Sequence, residues 1–294
     1  MRRSAFLEHV AWTGAGIAYA MSANGLFEGR AVAASPAAVE FVQISDSHIG
    51  FKQAANPDVA ATLKASIDAI NALPVQPSFV VHTGDVTHLS KPEQFTVAKD
   101  LLSTLKAPLI VLPGEHDFIG ADPKKFFEIF PGQKHEEQWR SWDANGVHYI
   151  ALVNVFDFEK MGKLGTDQIG WLKRDLAGVR RSTPIVVFAH VPLYALYPEW
   201  GWTTEDGSQA LAMLAQFDRV TVLNGHIHQV VTHQEGSIRF ATANATAYPQ
   251  PAPGTAPKPG PLTLPRSALL HAIGYRSVEL ANDGRADIGE HPLG

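Results

Sequence analysis

The stretch VLPGEHDFIG, Val111 to Gly120, reads as an apolar strand that stops abruptly at Gly114-Glu115-His116-Asp117. Two acids flank one histidine at the mouth of a turn, where a plain turn would use Asn, Gly or Ser. The same event recurs along the chain. The run FVQIS meets Asp46-Ser47-His48, FVVHT meets Gly84-Asp85, IVVFA meets His190, and VTVLN meets Gly225-His226-Ile227-His228. A sixth β-type run, HYIALV (148–153), lies among them. Helix-period segments fall between several runs, at 58–73, 92–105, 166–179 and 206–217. In the first, Leu63, Ile67 and Ile70 share a stripe; in the second, Phe95, Ala98, Leu102 and Leu105 do, behind Pro92 in the first turn. Thr166 is the expected N-cap of the third. Alternating strand and helix predicts an α/β architecture. In such a sheet the carboxyl ends of parallel strands share one edge, and ligands bind there.

Bulk chemistry narrows what that edge can hold. The net charge of −5 comes with no Lys/Arg run longer than a pair, so no nucleic-acid partner is expected. The chain has no cysteine, which excludes disulfides and thiolate metal sites. A transition-metal site must then use His, Asp, Glu or Asn. Four histidines and three carboxylates in one cleft would repel or desolvate one another without a cation, and two divalent metals resolve that. Glycines 84, 114 and 225 are expected to let the backbone turn sharply so that the ligands project inward.

The order Asp-x-His, Gly-Asp, Gly-x-His-Asp, His, Gly-His-x-His, from about Phe41 to His228, resembles the calcineurin-like metallophosphoesterase family. The Gly-His-Ile-His ending and His190-Val-Pro are similar to the bacterial class III cyclic-nucleotide phosphodiesterase branch. The resemblance implies a four-layer α/β/β/α sandwich of two mixed sheets flanked by helices. It also implies that Asp46, His48, Asp85 and His228 bind one metal. Asp85 would bridge to a second, which also takes Glu115, His190 and His226. His116 would serve the leaving oxygen as acid, with Asp117 orienting it. The implied cofactors are two divalent or mixed-valence transition metals, iron and manganese first and zinc after them. Such a pair holds a hydroxide for in-line displacement on a small-molecule phosphate ester. The departure is Glu115, where the family usually has Asn. It makes the protein charge on the centre −3 instead of −2, a weaker net attraction for phosphate that leaves open a trivalent ion at one position, looser product phosphate or selection of less charged diesters over monoesters, or else a Glu115 that swings away and weakens the second site. An alternative is a non-catalytic metal-binding or sensing protein on the same scaffold; the intact His116 and Asp117 speak for the enzyme.

Other features have blander readings. His82, inside a strand, reads as a satisfied core or surface group. His88, three residues after Asp85, reads as a pocket residue and not a ligand, because a fifth protein ligand would fill the position catalysis needs open. His9, His135, His148, His233, His271 and His291 have no motif context. The aromatic-rich segment 194–207 reads as a substrate wall, as does the Pro-rich loop 248–265, which can be neither helix nor central strand. Residues 274–288 read as a hairpin turning at Asn282-Asp283-Gly284. At the N-terminus, Arg2-Arg3, a weakly apolar stretch to Phe27 and Ala31-Val32-Ala33 resemble a twin-arginine (Tat) export signal over residues 1–33, too interrupted for a stable membrane anchor. The expectation is one domain over 34–294, exported through the Tat machinery to the periplasm or beyond.

Overall fold

Runs such as FVVHT and IVVFA are apolar at consecutive positions because each strand is covered on both faces. The computed structural model describes residues 40–130, 138–281 and 284–294, together with the backbone of two strands, β1 (Ile17–Met21) and β2 (Phe27–Ala31), paired antiparallel. That pair belongs to a unit ending at Ala38; the second unit is Val39–Gly294. The arginine pair and the expected cleavage site at Ala33 lie outside the described residues.

The second unit begins with three parallel strands, β3 (Phe41–Ile44), β4 (Phe79–Thr83) and β5 (Leu109–Leu112). They are linked by α1 (Val59–Asn71) and α2 (Pro92–Leu102), and α3 (Pro123–Ile129) follows. A second sheet holds β6 (Arg140–Ala144) and β7 (Val147–Ala151), then α4 (Thr166–Leu176), β8 (Ile185–Ala189), α5 (Gly207–Leu214) and β9 (Val220–Asn224). The hairpin β10 (Thr232–Glu235) and β11 (Ile238–Thr242) completes it, in the order β10-β11-β9-β8-β7-β6. After α6 (Arg266–Ala272) the chain returns to the first sheet as β12 (Gly274–Leu280) and β13 (Ala286–Pro292), in the order β13-β12-β3-β4-β5. Both sheets are mixed: antiparallel pairs close both edges of the second, while the first joins an antiparallel β13-β12-β3 half to a parallel β3-β4-β5 half.

The two-residue strand period sorts side chains into three cores. Val42, Ile44 and Val80 face Leu63, Ile67 and Phe95 of α1 and α2. Phe41, Phe79 and Val81 point the other way and meet Tyr149, Phe188 and Leu223 between the sheets. Ile150, Ile185, Val187 and Val222 face Leu172 and Leu176 of α4 and Ala210 and Leu214 of α5. Three cores make four layers, α/β/β/α, with the apolar stripes of the helices inside as their periodicity predicts. One polar plug interrupts the middle core. The buried Arg276 donates to Glu290 Oε1 at 2.7 Å and to Gln43 Oε1 at 3.3 Å. The Gln43 amide in turn donates to Thr83 Oγ1 and the Asn224 carbonyl, at 3.0 and 3.2 Å. These bonds tie the two sheets together just below the strand ends.

One expected cap is corrected. Thr166 is the first helical residue of α4 and caps nothing; Gly165, at φ 80°, is the N-cap position. The Asp206 carboxylate instead accepts from the Leu164 and Gly165 N–H groups, both at 2.8 Å. The 248–265 segment contains neither helix nor strand. The β12–β13 hairpin forms, while Asn282-Asp283 of its turn lie outside the described residues. Among the described residues no helix is long and apolar enough to cross a membrane.

Candidate metal centre

Loops after β3, β4, β8 and β9 converge because their backbones bond to one another. Asp46 N–H donates to Gly84 O at 3.0 Å and His48 N–H to Asp85 O at 2.9 Å, continuing the parallel pairing past the strands. Within the second sheet Gly225 N–H donates to His190 O at 3.0 Å, and across the sheets His226 N–H donates to Asp46 Oδ1 at 3.1 Å. Asp46, His48, Asp85, His226 and His228 all sit at positive φ, between 42° and 69°. Non-glycine residues seldom adopt that region outside constrained sites.

Four groups of close ligand atoms result among the described residues; two hold the candidate ligands, and the others are His48-His88-His116 and Asp85-Glu115-His116. Asp46, His48, Asp85 and His228 present atoms all within 4.8 Å of one another, and so do Glu115, His190 and His226. Within the first, His48 Nε2 lies 3.1 Å from His228 Nε2 and His228 Nε2 lies 3.4 Å from Asp46 Oδ1. Within the second, Glu115 reaches His190 Nε2 with one oxygen at 2.9 Å and His226 Nδ1 with the other at 3.1 Å. Asp85 Oδ2 joins them, 3.5 Å from both His48 Nε2 and His190 Nε2. The structure thus brings together every residue named above as a candidate ligand.

The donor set fits metal ions on a further observation. Glu115 Oε2, His190 Nε2 and His226 Nδ1 are buried and converge, and their contacts of 2.9 and 3.1 Å do not have hydrogen-bond geometry. A buried polar atom left without a partner costs about 1–3 kcal/mol, and a shared cation satisfies all three at once. The far nitrogens are occupied: His190 Nδ1–H donates to Thr83 O at 2.7 Å and His228 Nδ1–H to Tyr248 O at 2.6 Å. Each ring is thereby held in the tautomer that aims an Nε2 lone pair inward. The charge states are those of carboxylates paired with imidazoles: burial opposes charging His190, but Asp85 and Glu115 raise its pKa well above 6.5. Burial opposes ionising Asp46, yet His228, helped by His190 and Ser45, outweighs it and brings Asp46 down to about 2. Burial likewise opposes Glu115, and His226 and His190 hold it well below the usual range. Burial, reinforced by His116, His228 and His88, lowers His48 well below 6.5, so its ring is neutral.

The glycines act differently from expectation. Gly84 does need its φ of +105°, but Gly114 and Gly225 do not occupy the left-handed region. A Cβ on Gly114 would overlap Asp85 Oδ1, and one on Gly225 would overlap Ser45 Oγ and crowd Asp46 Oδ2. These two glycines clear space for ligand carboxylates instead of bending the chain.

Asp117 also needs correction. Its carboxylate accepts from Val86 N–H (3.0 Å), Thr87 N–H (2.7 Å), Thr87 Oγ1–H (2.9 Å) and Gly114 N–H (3.0 Å), and does not touch the His116 ring. Burial and then the Asp85 charge push it up to about 7, with those N–H groups pulling the other way. It braces the Asp85 loop against the Glu115 turn. His116 is oriented by backbone: its N–H donates to Asp85 Oδ1 at 2.9 Å and its Nδ1–H to His88 O at 2.7 Å, leaving Nε2 as the titrating nitrogen. Burial resists charging this ring, but Asp85 and Glu115 outweigh it and raise its pKa.

Above the ligands opens a cavity of about 360 Å³, lined by both histidines 88 and 116 and by Trp200, Trp202 and Pro259–Pro261. The aromatic segment and the Pro-rich loop therefore both form its wall. His82 is a satisfied core group, bonded to Ser47 Oγ at 2.7 Å and lowered to about 3 by burial. Sequence reasoning missed Tyr248, whose carbonyl aims His228, and Gln250, whose amide donates to His226 O at 3.0 Å. It also missed Lys160 in the wall. Tyr248 and Gln250 open the Pro-rich loop already expected at the wall, but no spacing or motif marks them, or Lys160, individually.

Two sheets ending in a carboxylate-bridged His/Asp/Glu centre define a metal-dependent phosphoric ester hydrolase. A profile of the calcineurin-like phosphoesterases matches residues 39–230, the span that holds all the candidate ligands, and the chain belongs to that family. It is 25% identical over 235 residues to a glycerophosphodiester phosphodiesterase of Enterobacter lignolyticus, covering 78% of this chain and 84% of the relative. It is 27% identical over 262 residues to the 3',5'-cyclic adenosine monophosphate phosphodiesterase of Pseudomonas aeruginosa, covering 87% and 90%. A dimetal phosphatase from Danio rerio shares the fold, with a TM-score of 0.65 at 12% identity, over 86% of this chain and 98% of that one.

Proposed function

We propose that the chain is an exported dinuclear-metal phosphoesterase that hydrolyses phosphodiesters in preference to monoesters. The observation that carries this reading is the single Asp85 oxygen equidistant from the two imidazole sets, beside three buried ligand atoms that have no hydrogen bond. Asp46, His48, Asp85 and His228 would hold one ion; Asp85, Glu115, His190 and His226 would hold the other. Bound there, two transition metals, iron or manganese before zinc, would polarise the phosphoryl oxygens and lower the pKa of water.

The chain's own residues do the rest. The Asp85 Oδ1 contact to the His116 N–H and the His88 carbonyl on Nδ1 fix the His116 ring. His116 Nε2 is then the atom that hands a proton to the departing oxygen. The tryptophans and prolines of the wall hold the organic part of the ester and exclude water. Glu115 selects charge: the third carboxylate repels a dianionic monoester more than a monoanionic diester. Both bacterial relatives above are phosphodiesterases, which supports the same preference. The arginine pair and the small-residue site at Ala31-Val32-Ala33 support passage through the Tat machinery to the periplasm or beyond.

The test is metal content by elemental analysis, with hydrolysis of a generic aryl phosphodiester and monoester by the wild type and Glu115→Asn. The expected wild type holds two metals and favours the diester, and Glu115→Asn gains on the monoester. A wild type that holds two metals yet cleaves neither ester, while Glu115→Asn does, would overturn the reading. Cell fractionation checks export, with retention of Arg2→Lys/Arg3→Lys in the cytoplasm as the expected result.

A further inference from the structure

His88 belongs to neither ligand set, yet it contacts both halves of the chemistry. Its Nδ1 lies 3.4 Å from Nδ1 of His48. Its ring stacks on His116, with centroids 5.1 Å apart and planes 16° apart, and stands edge-on to the buried Phe51 at 5.2 Å and 89°. Its backbone is fixed at both ends: N–H donates to Ile49 O at 3.0 Å, and O accepts from His116 Nδ1 at 2.7 Å. Three ring contacts and two backbone hydrogen bonds thus set the position of the ring.

The two nitrogens of His48 face opposite ways. Nε2 faces Asp85 and His228; Nδ1 faces His88. His88 thus faces the nitrogen of His48 opposite the one turned to Asp85 and His228. A neutral imidazole that gives its Nε2 lone pair to a metal carries its proton on Nδ1. That proton needs an acceptor, which metal-ligating histidines find in a carboxylate, a carbonyl or water. His190 and His228 follow the rule with the carbonyls of Thr83 and Tyr248. For His48 the one side-chain or backbone acceptor within hydrogen-bond reach of Nδ1 among the described residues is His88 Nδ1.

We infer that His88 is the positioning residue of the first metal set: its Nδ1 accepts from His48 Nδ1–H and so aims His48 Nε2 at the ion. The inference rests on the metal reading above. It also assigns His88 its own proton, on Nε2 at the cavity wall.

The test uses a chemical difference between two amides. In His88→Asn the side-chain oxygen falls near the place of Nδ1; in His88→Gln it falls near the place of Nε2. The full chain, stripped of metal, is titrated with Mn²⁺ by calorimetry. The binding step abolished by Asp46→Ala identifies the first set. His88→Ala and His88→Gln are expected to weaken that step by about 10–100-fold, the usual range for removing such a partner. His88→Asn is expected to stay within about threefold of wild type. The step belonging to Glu115, His190 and His226 is expected to change little in all three. Circular dichroism of the metal-free variants establishes that each is folded. Equal first-step affinities for the alanine and asparagine variants, whether both kept or both lost, overturn the inference. A wild type that takes up no Mn²⁺ overturns the metal reading itself and the inference with it. Two wild-type steps with an unaffected His88→Ala sink the inference alone.

Discussion

Gly114→Ala isolates what the glycine in Gly-Glu-His-Asp is for. The φ at Gly114 is −108°, which any L-residue adopts, so backbone strain contributes nothing to the substitution. The added Cβ would instead overlap Asp85 Oδ1 and the Asp85 backbone nitrogen, and stand 2.7 Å from Asp85 Cγ against an ordinary contact of 3.4–4 Å. Relief needs a displacement on the order of 1 Å, and Asp85 cannot yield freely: its Oδ1 accepts from His116 N–H at 2.9 Å. Overpacking of this kind costs about 1–3 kcal/mol. In a domain of this size each kcal/mol lowers Tm by about 2–4 °C, so the metal-free protein is expected to melt roughly 2–12 °C lower. Because Asp85 Oδ2 serves both sets, both Mn²⁺ binding steps are expected to weaken together. The control is Gly178→Ala, where a Cβ meets nothing within 4 Å; there stability is expected to hold or rise by up to about 1 kcal/mol. Calorimetric titration and scanning fluorimetry measure both quantities. Gly114→Ala with both steps within twofold of wild type and an unchanged Tm would refute the claim that this glycine exists to clear the bridging carboxylate.

Asp117→Asn turns one of two carboxylate oxygens, each accepting from two donors, into an NH2 donor, and is expected to cost at least about 1.5–3 kcal/mol of metal-free stability in urea unfolding; full stability with turnover alone lost would return Asp117 to a leaving-group role. His148 is buried with Asp175 and Asp143 each at 2.9 Å; burial opposes its charge, but the two carboxylates raise its pKa above 6.5. Its contribution is therefore complete below pH 6.5 and lost as pH rises through the raised value, so the stability gap between wild type and His148→Gln is expected to shrink from pH 6 to pH 9; a gap that widens with pH contradicts the sign. Leu63→Ala, at a fully buried site under the first sheet, is expected to cost about 2–5 kcal/mol in urea unfolding without moving Mn²⁺ affinity. Mn²⁺ at a hundred times its dissociation constant is expected to add about 2.7 kcal/mol, and a metal-insensitive melting curve would contradict binding to the folded state.

What was legible in the sequence was whatever depends on local period and on strand ends. Phe41–Ile44, Phe79–Thr83 and Ile185–Ala189 are read correctly because strands buried on both faces have no polar alternation to obscure them. The ligand positions are legible because each follows such a run directly. What escaped depends on through-space neighbours. Gln43 and Arg276 are polar residues in apolar strands; the antiparallel pairing of β12 with β3 sets them opposite each other, 233 positions apart, and the facing sheet supplies the Asn224 and Ala241 carbonyls. Asp206 caps α4 from 41 and 42 positions away. Asp117 was misassigned for a related reason: adjacency to His116 suggested a side-chain pair, but the short 3-10 turn Glu115–Phe118 folds the carboxylate back onto Gly114 and the Asp85 loop.

The backbone at the centre shows why the loops could be built this way at all. A non-glycine residue in the left-handed region costs on the order of 1–3 kcal/mol and persists only where its surroundings over-determine it. Five of the seven candidate ligands are in that region. Their surroundings do over-determine them: the N–H groups of Asp46, His48 and His226 each bond to a neighbouring ligand loop, and Gly84, Gly114 and Gly225 leave no room to relax by inserting a side chain. The strain is thus held by protein–protein hydrogen bonds that do not depend on an ion. Ligands placed in advance need little ordering when an ion arrives, so binding energy goes into the ion–ligand contacts. Glu115 fits the same logic. It and His190 lie outside the left-handed region, and Glu115 is the longest carboxylate of the set, reaching both His190 and His226 from a relaxed backbone. A flexible acid can span two imidazoles without strain, at the expense of one more negative charge facing the substrate.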